Sequence, residues 1–353
     1  MSMVHAESSG YATTTTVEAI AARLRAAKRV LVLTHSKPDG DAIGSTVALV
    51  RALEQRGTRA MVVYVGPVPR WGPMVIGSTH AKTVEGPTAG EVASEFEEAD
   101  LIVIMDTGAW SQVDELRAML TGKSAKIIVV DHHLSGSPDL ADERLVESSA
   151  AAAAELSARI CCALLGVAPS ALPIVIAEPL YLGLATDTGW FHFSNTKPTT
   201  LRLAADLVDA GVDFPRLFEM IEQQDRPARL RLLGRARESM ELHKANTIAL
   251  MTLTRADFEH CHGDSEDTGG FANYALAVAG MQVAGVLVEA AGREGKGPLS
   301  KLSLRSKPGT NAVDVAAVCQ KLGGGGHARA AGAKLAMSMA EAKIKVHEAL
   351  GIS

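Results

Sequence analysis

Four short segments concentrate aspartate and histidine, two residue types that bind divalent metal ions. They read Thr34-His35-Ser36-Lys37-Pro38-Asp39-Gly40-Asp41, Asp106-Thr107-Gly108, Asp131-His132-His133 and Thr186-Asp187-Thr188-Gly189. Carboxylate and imidazole ligands without cysteine favour an octahedral ion such as Mn²⁺, with Mg²⁺ and Co²⁺ as alternatives. Gathered together, the four carboxylates of Asp39, Asp41, Asp106 and Asp187 would repel one another unless cations neutralised them. Two divalent ions balance that charge, and such a pair is the usual centre for hydrolysis of phosphate esters.

Each segment alone has a simpler interpretation as a turn. Asp-Gly-Asp and Asp-Thr-Gly sequences are common in turns, because aspartate tolerates and glycine favours unusual backbone conformations. Four such segments at the ends of predicted strands and helices of one domain are harder to explain in this way. We therefore favour a metal site.

The predicted elements bring these segments to one place. Unbroken apolar runs, mostly β-branched, predict four strands at Val30–Leu33, Ala60–Val65, Leu101–Met105 and Ile127–Val130. Helical patterns at Ile43–Gln55 and Ser111–Leu120 separate strands, which indicates a doubly wound α/β domain with a parallel sheet. Ligands of such sheets bind beyond the carboxyl ends of the strands, where three of the segments lie.

The length of 353 residues predicts about two domains. We predict a disordered or extended tail at 1–15, a catalytic domain at 16–211, a helical connector at 212–245 and a second, smaller α/β domain at 246–353. The second domain has predicted strands at Thr247–Thr254, Val283–Ala290 and Leu299–Arg305, and helices at Val313–Leu322 and Met339–Leu350.

Composition excludes several classes of protein. The net charge of −5 argues against a protein that coats long duplex nucleic acid, and an aromatic content of 4% leaves few platforms for stacked bases. The four cysteines do not form a disulfide framework, and no apolar run is long enough for a membrane helix. We expect a cytoplasmic protein without a membrane partner.

Taken together, the motifs resemble those of the DHH phosphoesterases. The matching residues are His35-x-x-Pro38-Asp39-Gly40-Asp41-Ala42-x-Gly44-Ser45, Asp106, Asp131-His132-His133 and Thr186-Asp187-Thr188-Gly189. In the second domain, Asn273-Tyr274, Leu304-Arg305-Ser306, Gly323-Gly324-Gly325-Gly326-His327 and Ala331-Gly332 resemble the DHH-associated domain of the nanoRNase and pAp-phosphatase (NrnA-like) branch. The resemblance runs from about residue 16 to the C-terminus, and it implies an active site in the cleft between a parallel-sheet DHH domain and the smaller domain.

The resemblance assigns roles to individual residues. One metal ion would be held by His35, Asp39 and Asp106, and the second by Asp41, Asp106, His132 and Asp187. Asp106 would bridge the ions and Asp131 would orient an imidazole. His133 would face the substrate phosphate or the leaving oxygen, and the nucleophile would be a metal-bound water.

In the second domain, the residues expected to bind substrate are Arg305, Gly324, Gly325, Gly326, His327 and Asn273. Arginine pairs bidentately with phosphate, and glycine N–H groups can form an anion-binding nest. The alternative for the glycine run is that Gly323 caps the preceding helix and the other glycines form a turn.

The resemblance implies hydrolysis of very short RNA to 5′-mononucleotides and removal of the 3′-phosphate of 3′-phosphoadenosine 5′-phosphate (pAp). A cyclic- or linear-dinucleotide phosphodiesterase (acting on pApA, for example) is the alternative. A RecJ-type exonuclease of single-stranded DNA would need further nucleic-acid-binding domains, and a non-catalytic nucleotide-binding regulator would lack metal ligands that are present here. A homodimer is a further suggestion of the family.

One departure from the family pattern is Ser148-Ser149-Ala150-Ala151-Ala152-Ala153-Ala154-Glu155, which lacks the hydroxyls that relatives carry close to this glutamate.

Overall fold

A computed structural model describes residues 10–84, 90–290, 297–309 and 312–352. The chain forms two compact units, which divide between Gln223 and Gln224. The division lies inside the predicted connector 212–245, because helix Phe214–Glu222 belongs to the first unit and helix Pro227–Glu238 to the second. Among the described residues, no helix has the length and apolar character that crossing a bilayer requires.

A six-stranded, fully parallel sheet forms the centre of the first unit, in the order β3-β2-β1-β4-β5-β6. The strands are β1 (Arg29–Leu33), β2 (Arg59–Val65), β3 (Ala81–Val84), β4 (Leu101–Met105), β5 (Ile127–Asp131) and β6 (Glu143–Val146). The predicted parallel α/β sheet is therefore confirmed. The two strands that the sequence did not predict, β3 and β6, are its edges.

Helices cover the first sheet. They are α1 (Val17–Ala26), α2 (Gly40–Gln55), α3 (Gly72–Ile76), α4 (Ala93–Glu98), α5 (Arg117–Leu120), α6 (Ala153–Leu165), α7 (Ile174–Asp187), α8 (Pro198–Asp209) and α9 (Phe214–Glu222). Successive residues of one strand enter opposite cores, as Val103 does on one face and Ile102 on the other. Burial on both faces explains why the strands appear as unbroken apolar runs.

Helices α2 and α7 pack closely because their contact is made by glycines. A Cβ at Gly44 would lie 2.3 Å from the carbonyl oxygen of Pro179, and a Cβ at Gly183 would lie 2.9 Å from the Asp41 Oδ1 atom. A larger residue at Gly44 would displace backbone, and one at Gly183 would collide with the side chains of Ala154 and Asp41. This contact holds the first turn of α2 beside the last turn of α7, where Asp187 lies.

The second unit is a smaller α/β domain, with a sheet in the order β11-β12-β10-β9-β8-β7. Its strands are β7 (Glu241–His243), β8 (Ile248–Leu253), β9 (Val283–Ala290), β10 (Leu299–Ser306), β11 (Gly325–His327) and β12 (Ala330–Leu335). The helices are α10 (Pro227–Glu238), α11 (Arg255–Cys261), α12 (Phe271–Leu276), α13 (Val315–Gln320) and α14 (Met339–Leu350). Strands β8 and β9 are parallel, and the other neighbouring pairs are antiparallel.

Candidate metal centre

The first ligands come from the connection between β1 and α2. The Nδ1 atom of His35 lies 3.1 Å from the carbonyl oxygen of Ser36, so Nδ1 carries the proton and Nε2 is left as a ligand atom. Asp39 caps α2, because its Oδ1 accepts the N–H groups of Asp41 and Ala42, each at 3.1 Å. Asp41 follows in the first turn of the helix and is 1% exposed.

Asp106 is the first residue after β4, and its backbone is left-handed, with a φ of 62°. Its N–H donates to the carbonyl of Val130 at 2.9 Å, which ties this turn to β5. The side chain is buried, and among the described residues no group forms a hydrogen bond to its Oδ1 atom. A buried carboxylate oxygen without a hydrogen-bond partner is unfavourable unless a ligand satisfies it.

The Asp-His-His segment begins with the last residue of β5. Asp131 is fully buried, and its Oδ1 accepts the Nδ1–H of His133 at 2.7 Å and the N–H of His132 at 2.8 Å. The imidazole that Asp131 orients is therefore that of His133. This hydrogen bond also raises the pKa of His133.

The predicted metal ligands form two groups that share Asp106. In the first group, His35 Nε2 lies 3.5 Å from Asp106 Oδ2 and 3.8 Å from Asp39 Oδ1. In the second, His132 Nε2 lies 3.3 Å from Asp106 Oδ1, 3.8 Å from Asp41 Oδ2 and 3.7 Å from Asp187 Oδ2. Candidate ligand atoms within each of the groups His35–Asp39–Asp106 and Asp41–His132–Asp187 lie within 4.8 Å of one another.

The electrostatics of the centre call for positive charge. Burial, together with the charges of Asp106 and Asp187, raises the pKa of Asp41 well above its ordinary value. Burial also raises the pKa of Asp187, to about 6. Burial opposes protonation of His35 and His132, but the attraction of Asp106 and the neighbouring carboxylates outweighs it. The pKa of His35 is raised to about 11 and that of His132 to about 10.

These residues fit divalent metal ions. The donor set is carboxylate oxygen and imidazole nitrogen, and the unsatisfied Oδ1 of Asp106 lies 3.3 Å from His132 Nε2. Without metal, protons on the histidines supply the compensating charge, and metal binding displaces such protons. The site therefore suits cations that can replace those protons.

Two contributions to the site were not predicted. The N–H groups of Ala153 and Ala154, in the first turn of α6, donate to the two oxygens of Asp41 at 2.5 and 2.8 Å. These amides lie in the alanine run that departs from the family pattern. The second contribution is Tyr11, whose hydroxyl donates to Asp131 Oδ2 at 2.6 Å. Nothing in a lone tyrosine outside the predicted elements pointed to this contact.

In the second unit, the backbone favours the helix-cap interpretation for the first two glycines of the run. The N–H of Gly323 donates to the carbonyl of Gln320 at 3.0 Å, and that of Gly324 to Cys319 at 2.8 Å. The end of α13 therefore already uses the N–H of Gly324, and substrate binding by this residue stays a prediction. Gly326 is needed for another reason, since a Cβ there would lie 2.6 Å from the carbonyl oxygen of Ala330.

The other predicted substrate-binding residues lie on several elements of the second unit. Gly325 and Gly326 begin β11, which pairs with β12. Asn273 is exposed on α12, and Arg305 is half-buried on β10. His327 ends β11, and its side chain lies outside what the structure describes.

Two family matches together cover most of the chain. Residues 29–184 match the DHH family, N-terminal domain, and residues 256–350 match the DHHA1 domain. The chain belongs to the DHH family. It is 31% identical over 310 residues to the bifunctional oligoribonuclease and PAP phosphatase NrnA of Thermus thermophilus, covering 87% of this chain and 84% of the relative. The DHH protein described here is therefore NrnA-like and a metal-dependent phosphoesterase.

Solved structures support the fold of this DHH protein. An exopolyphosphatase-related protein from Bacteroides fragilis superimposes with a TM-score of 0.85 at 25% identity, over 95% of each chain. The exonuclease RecJ bound to manganese gives a TM-score of 0.54 at 17% identity, over 95% of this chain and 94% of that one. The second likeness concerns the fold alone.

Proposed function

We propose that this DHH protein hydrolyses short oligoribonucleotides of about two to five nucleotides to 5′-mononucleotides and also dephosphorylates pAp to AMP, using a two-metal centre. The observation that carries the proposal is the buried Asp106, whose two oxygens face the two ligand groups. The Thermus thermophilus relative is named as an oligoribonuclease and PAP phosphatase, which supports the choice of substrates.

In this proposal, His35, Asp39 and Asp106 hold one ion, and Asp41, Asp106, His132 and Asp187 hold the other. Manganese is the proposed ion, with magnesium and cobalt as alternatives. Bound ions of this kind activate water and neutralise the charge of a phosphate group.

His133 is the proposed contact to the substrate phosphate or the leaving oxygen. Its Nδ1 is engaged by Asp131, so the opposite nitrogen, Nε2, is the one that can bind substrate. The hydrogen bond to Asp131 raises the pKa of this ring, which favours a proton at Nε2 that can be donated to a phosphoryl or leaving oxygen.

Arg305 is the proposed ligand of a terminal phosphate. Its Nη1 donates to the carbonyl of Leu304 at 3.0 Å, and among the described residues no carboxylate lies within ion-pair distance of it. Burial lowers the pKa of this guanidinium, so an anion beside it would be stabilising. Asn273, Gly325, Gly326 and His327 are proposed to complete the substrate-binding residues.

The test is release of mononucleotide from 5′-labelled RNAs of increasing length in the presence of Mn²⁺, with pAp and linear pApA assayed in parallel. The proposal predicts that dimers to pentamers are the preferred RNAs and that pAp yields AMP. Turnover of pApA alone would instead indicate a dinucleotide phosphodiesterase. Efficient degradation of long single-stranded DNA would indicate a RecJ-type exonuclease. The variant Asp106→Asn is the control for contaminating nucleases.

A further inference from the structure

The N-terminal segment, residues 10–16, lies along the edge strand β6. Thr13 Oγ1 donates to the carbonyl of Val146 at 2.7 Å, and the N–H of Thr14 donates to the carbonyl of Arg144 at 2.7 Å. In return, the N–H of Arg144 donates to Thr14 Oγ1 at 2.8 Å. These contacts fix the backbone of the segment and bring Tyr11 to the end of the sheet that carries the metal ligands.

The Tyr11 ring occupies a slot made by two glycines. A Cβ at Gly108 would lie 1.7 Å from the Tyr11 hydroxyl, and a Cβ at Gly136 would lie 2.4 Å from its Cζ atom. Tyr11 is 7% exposed as a result. Gly108 belongs to the Asp-Thr-Gly segment, and Gly136 follows the Asp-His-His segment. The ring therefore packs directly against both loops of the centre.

At the bottom of this slot the hydroxyl meets Asp131. It donates to Oδ2 at 2.6 Å, while Oδ1 accepts the Nδ1–H of His133 at 2.7 Å. The two oxygens of one fully buried carboxylate are thus held from opposite sides, by Tyr11 and by the Asp-His-His backbone and ring. A carboxylate held at both oxygens keeps its plane fixed, which fixes the imidazole that it binds.

We propose that Tyr11 is a positioning residue for His133, acting through Asp131. The hydroxyl of Tyr11 holds the carboxylate, and the carboxylate holds the ring at Nδ1. This inference rests on the proposed role of His133 in the reaction. It assigns the N-terminal segment to the catalytic centre, although that segment precedes the residues matched by the two family models.

The variant Tyr11→Phe tests this inference, because it keeps the ring in its slot and removes only the hydroxyl. We expect kcat to fall about tenfold, the effect of losing one hydrogen bond to a charged group, with KM nearly unchanged. The matched control is Tyr64→Phe. Tyr64 is also buried, and its hydroxyl lies 2.9 Å from Thr46 Oγ1 in the hydrophobic core of the first unit. Tyr64→Phe should leave kcat unchanged.

A double-mutant cycle separates positioning from general stability. In a His133→Asn background, Tyr11→Phe should cause no further loss of kcat, because the group that Tyr11 positions is already absent. An equal tenfold loss in both backgrounds would overturn the inference, as would an unchanged kcat in the single variant. Equal losses in Tyr11→Phe and Tyr64→Phe would also overturn it.

The assay must not depend on the natural substrate. Bis(p-nitrophenyl) phosphate is a generic phosphodiester, so its hydrolysis with Mn²⁺ reports the centre even if short RNA and pAp prove not to be substrates. If the unmodified protein hydrolyses bis(p-nitrophenyl) phosphate but neither short RNA nor pAp, the proposed function is refuted. The role of Tyr11 can then still be measured. As a second readout, the Nδ1 proton of His133 in the Mg²⁺-loaded protein should exchange faster in Tyr11→Phe. Unchanged exchange would overturn the inference.

Discussion

Replacement of Asp106 by asparagine is the sharpest test of a shared ligand. Asparagine has nearly the same shape, and like aspartate it tolerates the left-handed backbone at this position, where φ is 62°. Alanine would add backbone strain to the loss of the ligand. Asp106→Asn therefore removes one negative charge from the centre and little else.

The expected magnitude follows from the distances. The two Asp106 oxygens lie 3.5 Å from His35 Nε2 and 3.3 Å from His132 Nε2, so the carboxylate faces both ligand groups. Two unit charges about 4 Å apart, at an effective dielectric constant of about 20, interact by about 4 kcal/mol. Since about 1.4 kcal/mol corresponds to tenfold, the loss predicts a kcat about a thousandfold lower at saturating Mn²⁺.

Metal binding and stability are measured on the same variant. Thermal unfolding with and without Mn²⁺ should show a metal-dependent rise in Tm for the unmodified protein and a much smaller rise for Asp106→Asn. A kcat within tenfold of the unmodified protein, with an intact metal-dependent rise in Tm, would refute a ligand shared by two ions.

Three further predictions follow from the same geometry. In the metal-free protein, the free energy of unfolding should fall as pH rises from about 4 to about 6, because folded Asp187 keeps its proton up to pH about 6. It should fall again as pH rises from about 6.5 to about 11, because folded His35 keeps its proton up to pH about 11. Gly44→Ala should destabilise the protein by about 1–3 kcal/mol through overpacking, whereas the control Gly234→Ala, in open space on α10, should stabilise it by up to about 1 kcal/mol. Arg305→Ala should raise KM about tenfold for substrates with a terminal phosphate and change kcat little.

Chemical denaturation with a chelator present measures the pH dependence, and added Mn²⁺ should flatten it. A stability that rises with pH over either window would contradict the assigned protonation states. Equal effects of Gly44→Ala and Gly234→Ala would contradict the close helix contact. An equal rise in KM for an analogue without the terminal phosphate would exclude Arg305 as its ligand.

The central strands could be predicted from the sequence because burial leaves a local signal there, and residue type and motif spacing predicted which aspartates and histidines come together. A strand such as Leu101–Met105, apolar at every position, has few alternatives. The edge strands Ala81–Val84 and Glu143–Val146 are short and partly polar, since only one neighbour covers them, and they were missed. The predicted helix at Ser111–Leu120 is a series of 3₁₀ turns ending in one α-helical turn.

The contacts that support the ligands could not be predicted, because they join residues that are distant in sequence. The bond from Tyr11 to Asp131 spans 120 positions, and those from the α6 amides to Asp41 span 112 and 113. Backbone donors in an alanine run leave no trace in residue type. The glycine run was ambiguous for a related reason, since a cap, a close strand contact and an anion nest all favour glycine.

The glycine contact between α2 and α7 has a consequence for ion selectivity. Asp41 and Asp187 belong to one candidate ligand group, yet each is carried by a different helix, and the spacing of the helices is set where Gly44 lies against the backbone of Pro179 and Gly183. Because both residues lie on packed helices, rotation of their side chains cannot widen the spacing between the helices. The group is therefore expected to discriminate by ionic radius, accepting ions with short metal–oxygen bonds, such as manganese or magnesium, and excluding calcium, whose bonds are about 0.3–0.5 Å longer than those of magnesium.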